Sequence, residues 1–127
     1  MNSLHFSFVS LFPEMFAPLE HSILKRARDA GLLSFSHINP RDFALDKHRI
    51  VDDTPFGGGA GMVMKPDPIY RAVQSAKESG AGRVLLMCPG GTPFSQAKAL
   101  ELAKEEHLIL VCGHYEGIDE RVRQHVV

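Results

Sequence analysis

The chain opens with alternating apolar and polar residues, and a helical spacing follows. Leu4, Phe6 and Phe8 alternate with polar neighbours, which predicts a strand buried on at least one face. From Glu14 onward, apolar residues recur every three or four positions as far as a glycine, Gly31, suited to cap a helix. The pattern therefore predicts one strand followed by one helix that lays an apolar stripe on a sheet.

Three further segments have the composition of strands. Leu32–Ile38 is stopped by Asn39-Pro40, because proline cannot donate to a strand ladder and pushes the preceding residue toward extended conformations. Val84–Cys88 and Leu108–Cys112 are almost continuously apolar. This is typical of central parallel strands covered by helices on both faces.

Helices are predicted between and after these strands. Asp67, which a proline follows, suits the N-cap of a helix ending at Gly80, and Ser95 suits the N-cap of a third helix that runs through Leu100. A short fourth helix is predicted from Ile118 to Val126. The alternation of strands and helices predicts an α/β fold with an open, mostly parallel sheet and helices on both faces.

Length and charge narrow the class of protein. At 127 residues, 44% of them hydrophobic, the chain fits one domain. Its 14 basic and 15 acidic residues give a net charge of −1, so no strong positive field indicates a nucleic-acid partner, although a local basic patch remains possible. No apolar run approaches the roughly 20 residues of a membrane-spanning helix, and the N-terminus does not resemble a secretion signal. We expect a cytoplasmic protein without a membrane contact.

The cysteines and histidines do not indicate a metal. Cys88 and Cys112 each end an apolar run, without a CxxC spacing or a neighbouring histidine ligand. Zinc and a disulfide are therefore disfavoured, and both cysteines are predicted to be reduced thiols in the core. The seven histidines show no ligand spacing either, so no metal centre is expected.

The segment 41–65 carries a glycine cluster, Gly57–Gly61, without helical or strand periodicity. The residues after it are not the Lys-Ser/Thr of a phosphate loop, and no buried strand directly precedes it. It is either a ligand-shaped loop with nearby cations and aromatic rings for stacking on bases, or a solvated loop without function. We expect 49–65 to be mobile without ligand; rigid packing through its apolar side chains is the alternative.

Two predicted parallel strands end in small residues, which points to a pocket. Cys88 is followed by Pro89 and two glycines, and Cys112 is followed by Gly113. Ligands bind at the carboxyl ends of strands in such sheets, where glycine lets them approach the backbone. Tight strand-to-helix turns explain the same residues equally well. Glu116 lies in the densest polar segment, 113–121, where a carboxylate could face the edge of a base.

Four strings in order, SLFPEMF, GLLSFSHINPRDF, HRIVDDTPFGGGAGMVM and LILVCGHYEGIDERV, resemble the bacterial tRNA (guanine-N1-)-methyltransferase family. Together they cover Ser10 to Val122. The resemblance implies a SPOUT-type α/β domain with a trefoil knot, a homodimer, and S-adenosylmethionine bound in a bent form within the knot. The family methylates N1 of the guanosine immediately 3′ of the anticodon in tRNA.

The resemblance assigns roles to particular positions. Glu116 would face the target guanine as well as the cofactor, and Asp52 with the glycine loop would contact the adjacent anticodon base. The expected substrate-binding residues are Asp52, Gly59, Ala60 and Gly61. The expected cofactor-binding residues are Leu86, Met87, Cys88, Pro89, Gly113, Tyr115, Glu116 and Gly117. Two positions depart from the family pattern, because Ala60 replaces the loop's usual proline and Cys88 a small polar residue.

The resemblance also implies further chain. The family continues past the position of Val127 into a loop that completes the knot, a linker that supplies a general base and an arginine, and a helical tRNA-binding domain. We therefore expect residues 1–127 to be a truncated N-terminal S-adenosylmethionine-binding domain with an incomplete knot and no activity alone. The alternative is a noncatalytic RNA-binding or dimerisation module that keeps only the scaffold.

Overall fold

A parallel four-stranded sheet forms the frame of the molecule. The computed structural model describes residues 3–44, 52–53, 63–64, 66–88, 90–113, 122 and 126–127. The strands are β1 (Leu4–Val9), β2 (Leu33–Ile38), β3 (Asp52–Asp53), β4 (Val63–Met64), β5 (Arg83–Met87) and β6 (His107–Cys112). The order in the main sheet is β2-β1-β6-β5, with all three pairings parallel, while β3 and β4 pair antiparallel.

Among the described residues, three α-helices and two 3₁₀ helices connect these strands. They are α1 (Ser22–Asp29), α2 (Pro66–Lys77) and α3 (Gln96–Leu102), with 3₁₀ helices at Pro13–Glu20 and Pro40–Phe43. The predicted α/β class is confirmed, and β2 and β6 lie within one residue of their predicted bounds. The predicted loop 41–65 contains more structure than its composition indicated, since it includes most of the second 3₁₀ helix and the β3–β4 pair.

The predicted continuous helix after β1 is wrong. The chain forms a 3₁₀ helix, then extends at His21 and takes a positive φ of 60° at Ser22, the first residue of α1. Pro18 lies inside the first segment, where it removes an N–H and crowds the preceding turn, so an α-helix cannot run through it. The expected apolar stripe is not buried either, because Met15 is 75% exposed and Ile23 is 74% exposed.

The core lies between α2 and one face of the sheet. Ile69 and Val73 of α2 are fully buried and pack with Ile109 and Val111 at the centre of the sheet. Because side chains alternate across a strand, the residues that face α2 are every second one along β1, β6 and β5. Burial of each of these branched side chains stabilises the folded protein by about 1.5–3 kcal/mol relative to leaving that side chain exposed.

Aromatic rings cover the opposite face. Phe8 stacks on Phe16 of the first 3₁₀ helix with 4.6 Å between ring centroids, and Phe35 and His37 of β2 lie beside them. Phe8 is almost completely buried. Helical segments therefore pack on both faces of the sheet, as predicted.

The strand β5 lies at an edge of the sheet that the described residues form, whereas its apolar run predicted a central strand. It pairs with β6 alone among the described strands. Val84 and Leu86 pack against the core through one face, whereas Met87 is 55% exposed. An apolar run therefore identified the strand but not its number of neighbours.

The helix α3 is attached to β5 by charged side chains. Ser95 accepts a hydrogen bond from the Lys98 N–H at 3.2 Å, which confirms the predicted N-cap. Arg83 of β5 donates to the Glu101 carboxylate at 2.9 Å. In the same helix Leu102 is buried, whereas Leu100 is 60% exposed.

Little of the predicted fourth helix lies within the described residues. Val122 is fully buried in the core, and its carbonyl accepts a hydrogen bond from the Val126 N–H at 2.9 Å. Within the described part of the chain, no helix is both long and apolar enough to cross a membrane.

Candidate cofactor site

The carboxyl ends of β5 and β6 lie side by side. Met87 is the register partner of Cys112, so the residues that follow, Cys88 and Gly113, leave the sheet at the same edge. The predicted pocket residues from two distant parts of the sequence are thereby brought together. This position, outside the carboxyl ends of neighbouring parallel strands, is where α/β sheets bind ligands.

The side chains at this edge divide between the two faces of the sheet. Leu86 points to the α2 side, where it packs against the core, and Met87 points to the other side. Cys88 and Gly113 are both exposed. The site therefore offers apolar surface from Leu86 and Met87 next to main chain that solvent reaches.

The turn after β5 leaves space for a ligand against the backbone. The N–H of Gly91 donates to the Cys88 carbonyl at 3.4 Å, which bends the chain back at the strand end. A methyl group placed on the α-carbon of Gly90 would meet no atom within 4 Å. A bound group could thus lie directly on this glycine.

The two cysteines differ from the prediction that both are core thiols. Cys88 is exposed, whereas Cys112 is half-buried, and both are free. Burial raises the pKa of the Cys112 thiol, so it stays protonated at neutral pH. Since the thiolate is the nucleophilic form, this thiol is a poor nucleophile at neutral pH.

Asp52 is placed by the short β3–β4 pair. Asp52 and Asp53 pair with Met64 and Val63, so the two ends of segment 54–62 meet. The preceding 3₁₀ helix is fixed by Asn39, whose side chain accepts from the Arg41 N–H at 2.9 Å and donates to the Leu11 carbonyl at 3.3 Å. The described residues on either side of segment 54–62 thus lie next to each other.

Several predicted site residues lie outside the described residues. They are Gly59, Ala60 and Gly61 of the glycine segment, Pro89, and Tyr115, Glu116 and Gly117 after β6. The predicted mobility of 49–65 likewise concerns mainly residues outside the described ranges. Within the described residues, no group of three or more His, Cys, Asp or Glu side chains could hold a metal ion.

Phe94 was not anticipated from the sequence. It lies in the connection from β5 to α3 and is 73% exposed. An exposed phenylalanine in this connection is a candidate contact for a flat ring of a ligand. The signal in the sequence was its position directly before the helix cap at Ser95.

Comparison with known proteins identifies the family. A family model described as tRNA (Guanine-1)-methyltransferase TrmD matches residues 4–127. The chain belongs to this family. Relatives named tRNA (guanine-N(1)-)-methyltransferase are 58% identical in Desulforamulus reducens, over 94% of this chain and 48% of theirs, and 52% identical in Macrococcus caseolyticus, over 94% and 50%.

A solved structure agrees with the fold. The crystal structure of tRNA (m1G37) methyltransferase from Aquifex aeolicus superposes with a TM-score of 0.87 at 38% identity, over 97% of this chain and 56% of that one. The fold is therefore that of a SPOUT methyltransferase. The chain spans about half the length of the relatives that it matches.

Proposed function

We propose that this chain is the S-adenosylmethionine-binding part of a tRNA methyltransferase that modifies N1 of the guanosine 3′ of the anticodon. Membership of the tRNA (guanine-1)-methyltransferase family supports the reaction class. The observation that carries the proposal is the register of Met87 with Cys112, which supports a cofactor site at the carboxyl ends of β5 and β6.

The residues at this edge fit the proposed cofactor. An adenosine ring needs apolar surface and main-chain hydrogen-bonding groups, and Leu86, Met87 and the backbone at Cys88 and Gly113 offer both. Open space at Gly90 admits a ligand atom against the chain. We assign Pro89, Tyr115, Glu116 and Gly117 to the same site from the family pattern.

Methyl transfer to guanine requires removal of the N1 proton and alignment of the ring with the methyl group. S-adenosylmethionine, when bound, supplies a methyl group activated by a positively charged sulfur. Guanine N1 carries a proton at neutral pH, so a base must remove it while the ring is held in line with the methyl group. We assign Glu116 to orienting the guanine. The general base is assigned to the part of the family that lies beyond the length of this chain.

The partners follow from the same proposal. We propose tRNA as substrate, with Asp52, Gly59, Ala60 and Gly61 contacting the base next to the target, and a homodimer with a knotted cofactor site in the cytoplasm. A net charge of −1 gives this domain little non-specific attraction for RNA, so most tRNA affinity must come from specific contacts or from other parts of the protein.

The cofactor assignment is tested by NMR on the 127-residue chain titrated with S-adenosylmethionine. We expect amide shifts at Leu86, Cys88 and Gly113, with Leu33 and Ser34 at the amino end of β2 unchanged. Even weak binding gives such a map. Shifts centred elsewhere would contradict the assignment; if the incomplete domain gives none, the same titration on a chain of full family length decides, and an absence of shifts there would contradict it.

A further inference from the structure

A chain of polar side chains crosses the sheet near its amino ends, away from the candidate cofactor site. Ser7 is fully buried, and His107 is 5% exposed. The chain of hydrogen bonds starts on β2, crosses β1 and ends on β6. We call it the polar relay, and its members are Ser34, His5, Ser36, Ser7 and His107.

The distances make the relay continuous. His5 contacts Ser34 through Nδ1 at 2.6 Å and Ser36 through Nε2 at 3.0 Å. Ser36 contacts Ser7 at 3.0 Å, and Ser7 contacts Nε2 of His107 at 2.7 Å. Nδ1 of His107 lies 2.9 Å from the Gly80 carbonyl oxygen, in the turn that connects α2 to β5.

The Gly80 carbonyl sets the direction of every bond when both histidines are neutral. A carbonyl only accepts, so Nδ1 of His107 carries the hydrogen and Nε2 accepts from the Ser7 hydroxyl. Ser7 then accepts from Ser36, and Ser36 accepts from Nε2–H of His5. Nδ1 of His5 accepts from Ser34, so every polar group of the relay has a partner.

One added proton fits the relay in two positions. On His5, it occupies Nδ1 and donates to Ser34, whose own hydroxyl turns to solvent because Ser34 is exposed. Transfer to His107 moves three protons: His5 Nε2 gives its proton to Ser36, Ser36 gives one to Ser7, and Ser7 gives one to Nε2 of His107. Three N–H or O–H bonds break and three form, and all groups keep partners.

A second proton does not fit. With both rings charged, Nε2–H of His5 and Nε2–H of His107 point at Ser36 and Ser7. These two hydroxyls can then direct only one of their hydrogens at each other, so the other loses its partner within the relay at a position where Ser7 is fully buried and Ser36 is half-buried. The two charged rings would also repel, since their centroids are 5.0 Å apart.

We propose that the polar relay is an acid-sensitive switch that takes up one proton, moves it between His5 and His107, and excludes a second. The unfolded chain binds a proton at each histidine, so the folded chain binds fewer protons in acid and becomes less stable. This role is independent of the proposed methyl transfer.

The electrostatic surroundings of His5 favour its neutral form, as the proposal requires. Burial, and then His107, lower the pKa of His5 below its ordinary value of 6.5. For a base with a lowered folded pKa, stability is complete above the unfolded value and falls as the pH drops from about 6.5 toward the folded pKa. One excluded proton changes the unfolding equilibrium by at most about tenfold per pH unit.

Neighbouring charged groups lie outside the relay. Arg83 on β5 and His37 on β2 belong to the opposite face of the sheet by their register. Glu78 after α2 and Glu106 before β6 are exposed, and Lys77 at the end of α2 is half-exposed. Within the described residues, the relay therefore meets the α2 side through the Gly80 carbonyl and not through a carboxylate.

NMR of the histidine ring nitrogens in the 127-residue chain tests the proposal between pH 8 and pH 4.5. We expect Nδ1–H on neutral His107, and signals of His5 and His107 that change together for a total uptake of one proton. Separate titrations with both rings fully charged in the folded chain would overturn it, as would a neutral His107 with its hydrogen on Nε2.

Two serine variants provide a matched pair. Ser36→Ala cuts the path between the rings, so the added proton should stay on one ring instead of being shared, and only direct repulsion across 5.0 Å should still link their signals. Ser34→Ala, on the same strand but at the exposed end, should leave the coupling intact. A proton still shared between the two rings in Ser36→Ala would overturn the proposed path. If Ser36→Ala does not fold, the wild-type titration still decides the proton count.

Discussion

Gly82 lies against His107 at the amino end of the sheet, where a side chain would not fit. A methyl group on its α-carbon would lie 2.9 Å from the His107 ring and 3.1 Å from the His107 carbonyl oxygen. His107 cannot move away easily, because both of its ring nitrogens have hydrogen-bond partners. The turn that carries Gly82 therefore fits this ring closely.

The Gly82→Ala variant should be less stable by about 1–3 kcal/mol, the usual cost of overpacking. Gly90→Ala is the control, since a methyl group there meets nothing within 4 Å. Denaturant unfolding of the two variants measures the difference. Equal stability of both variants would show that His107 yields without cost.

The sequence predicted the polar positions of β1 but not their burial. His5 and Ser7 alternate with apolar residues, the usual pattern of a strand with one solvated face. Instead, Ser7 is buried on the α2 side of the sheet, because Ser36 of β2 and His107 of β6 provide its hydrogen bonds. These partners are 29 and 100 residues away in sequence, so no local pattern could reveal them.

At the scale of elements, α3 shows that an apolar helix position need not be a core position. Leu102 is 8% exposed and Leu100 is 60% exposed, although the two residues are nearly adjacent. A rotation of 100° per residue places them on different faces of the helix. Two hydrogen bonds set which face of α3 lies toward the sheet: Arg83 of β5 donates to the Glu101 carboxylate of α3, and Ser95 caps the start of the helix.

We expect Leu102→Ala to lower the free energy of unfolding by about 2–4 kcal/mol, because it removes buried contacts and leaves a cavity. Leu100→Ala should change it by less than about 0.5 kcal/mol, as for most surface positions. Both variants replace a leucine with an alanine in the same helix, so they differ only in the burial of the side chain that is removed. A larger loss for Leu100→Ala in chemical denaturation would contradict the orientation of α3.

The continuous helix predicted after β1 is wrong because the spacing of apolar residues does not show where a helix is interrupted. The spacing of Met15 and Ile23 is helical, but periodicity alone does not report a break in the chain. Pro18 was the local signal of the break, and the positive φ at Ser22 completes it. The helix caps at Ser95 and Asn39, by contrast, depend on bonds two or three residues away and are readable from sequence.

At the scale of the whole molecule, the sequence predicted which strand ends meet at the candidate cofactor site but not the strand order around them. Two apolar runs that end in Cys88 and Cys112-Gly113 indicated neighbouring strand ends, and the pairing of β5 with β6 agrees. The order β2-β1-β6-β5 puts the last described strand between the first and the fifth. Such pairing depends on contacts far apart in sequence, which hydrophobic patterns do not encode.

The proposed role of Glu116 needs a protein of full family length. We suggest joining this chain to the remaining half of the Desulforamulus reducens relative, which is 58% identical over the shared part. In that protein Glu116→Gln keeps the size of the side chain but loses the charge that would hold the guanine. We expect methyl transfer in single turnovers to slow by about 100-fold, the typical cost of a misplaced reactant.

Glu106→Gln is the matched control for this experiment, because Glu106 is exposed just before β6, at the opposite end of the strand from the site. It should transfer methyl groups at the rate of the unmodified chimera. S-adenosylmethionine affinity, measured by calorimetry, separates orientation from binding: a role in orientation slows transfer at saturating cofactor, whereas a role confined to cofactor binding is overcome by more cofactor. Equal rates for Glu116→Gln and Glu106→Gln at saturation would remove Glu116 from the proposed mechanism.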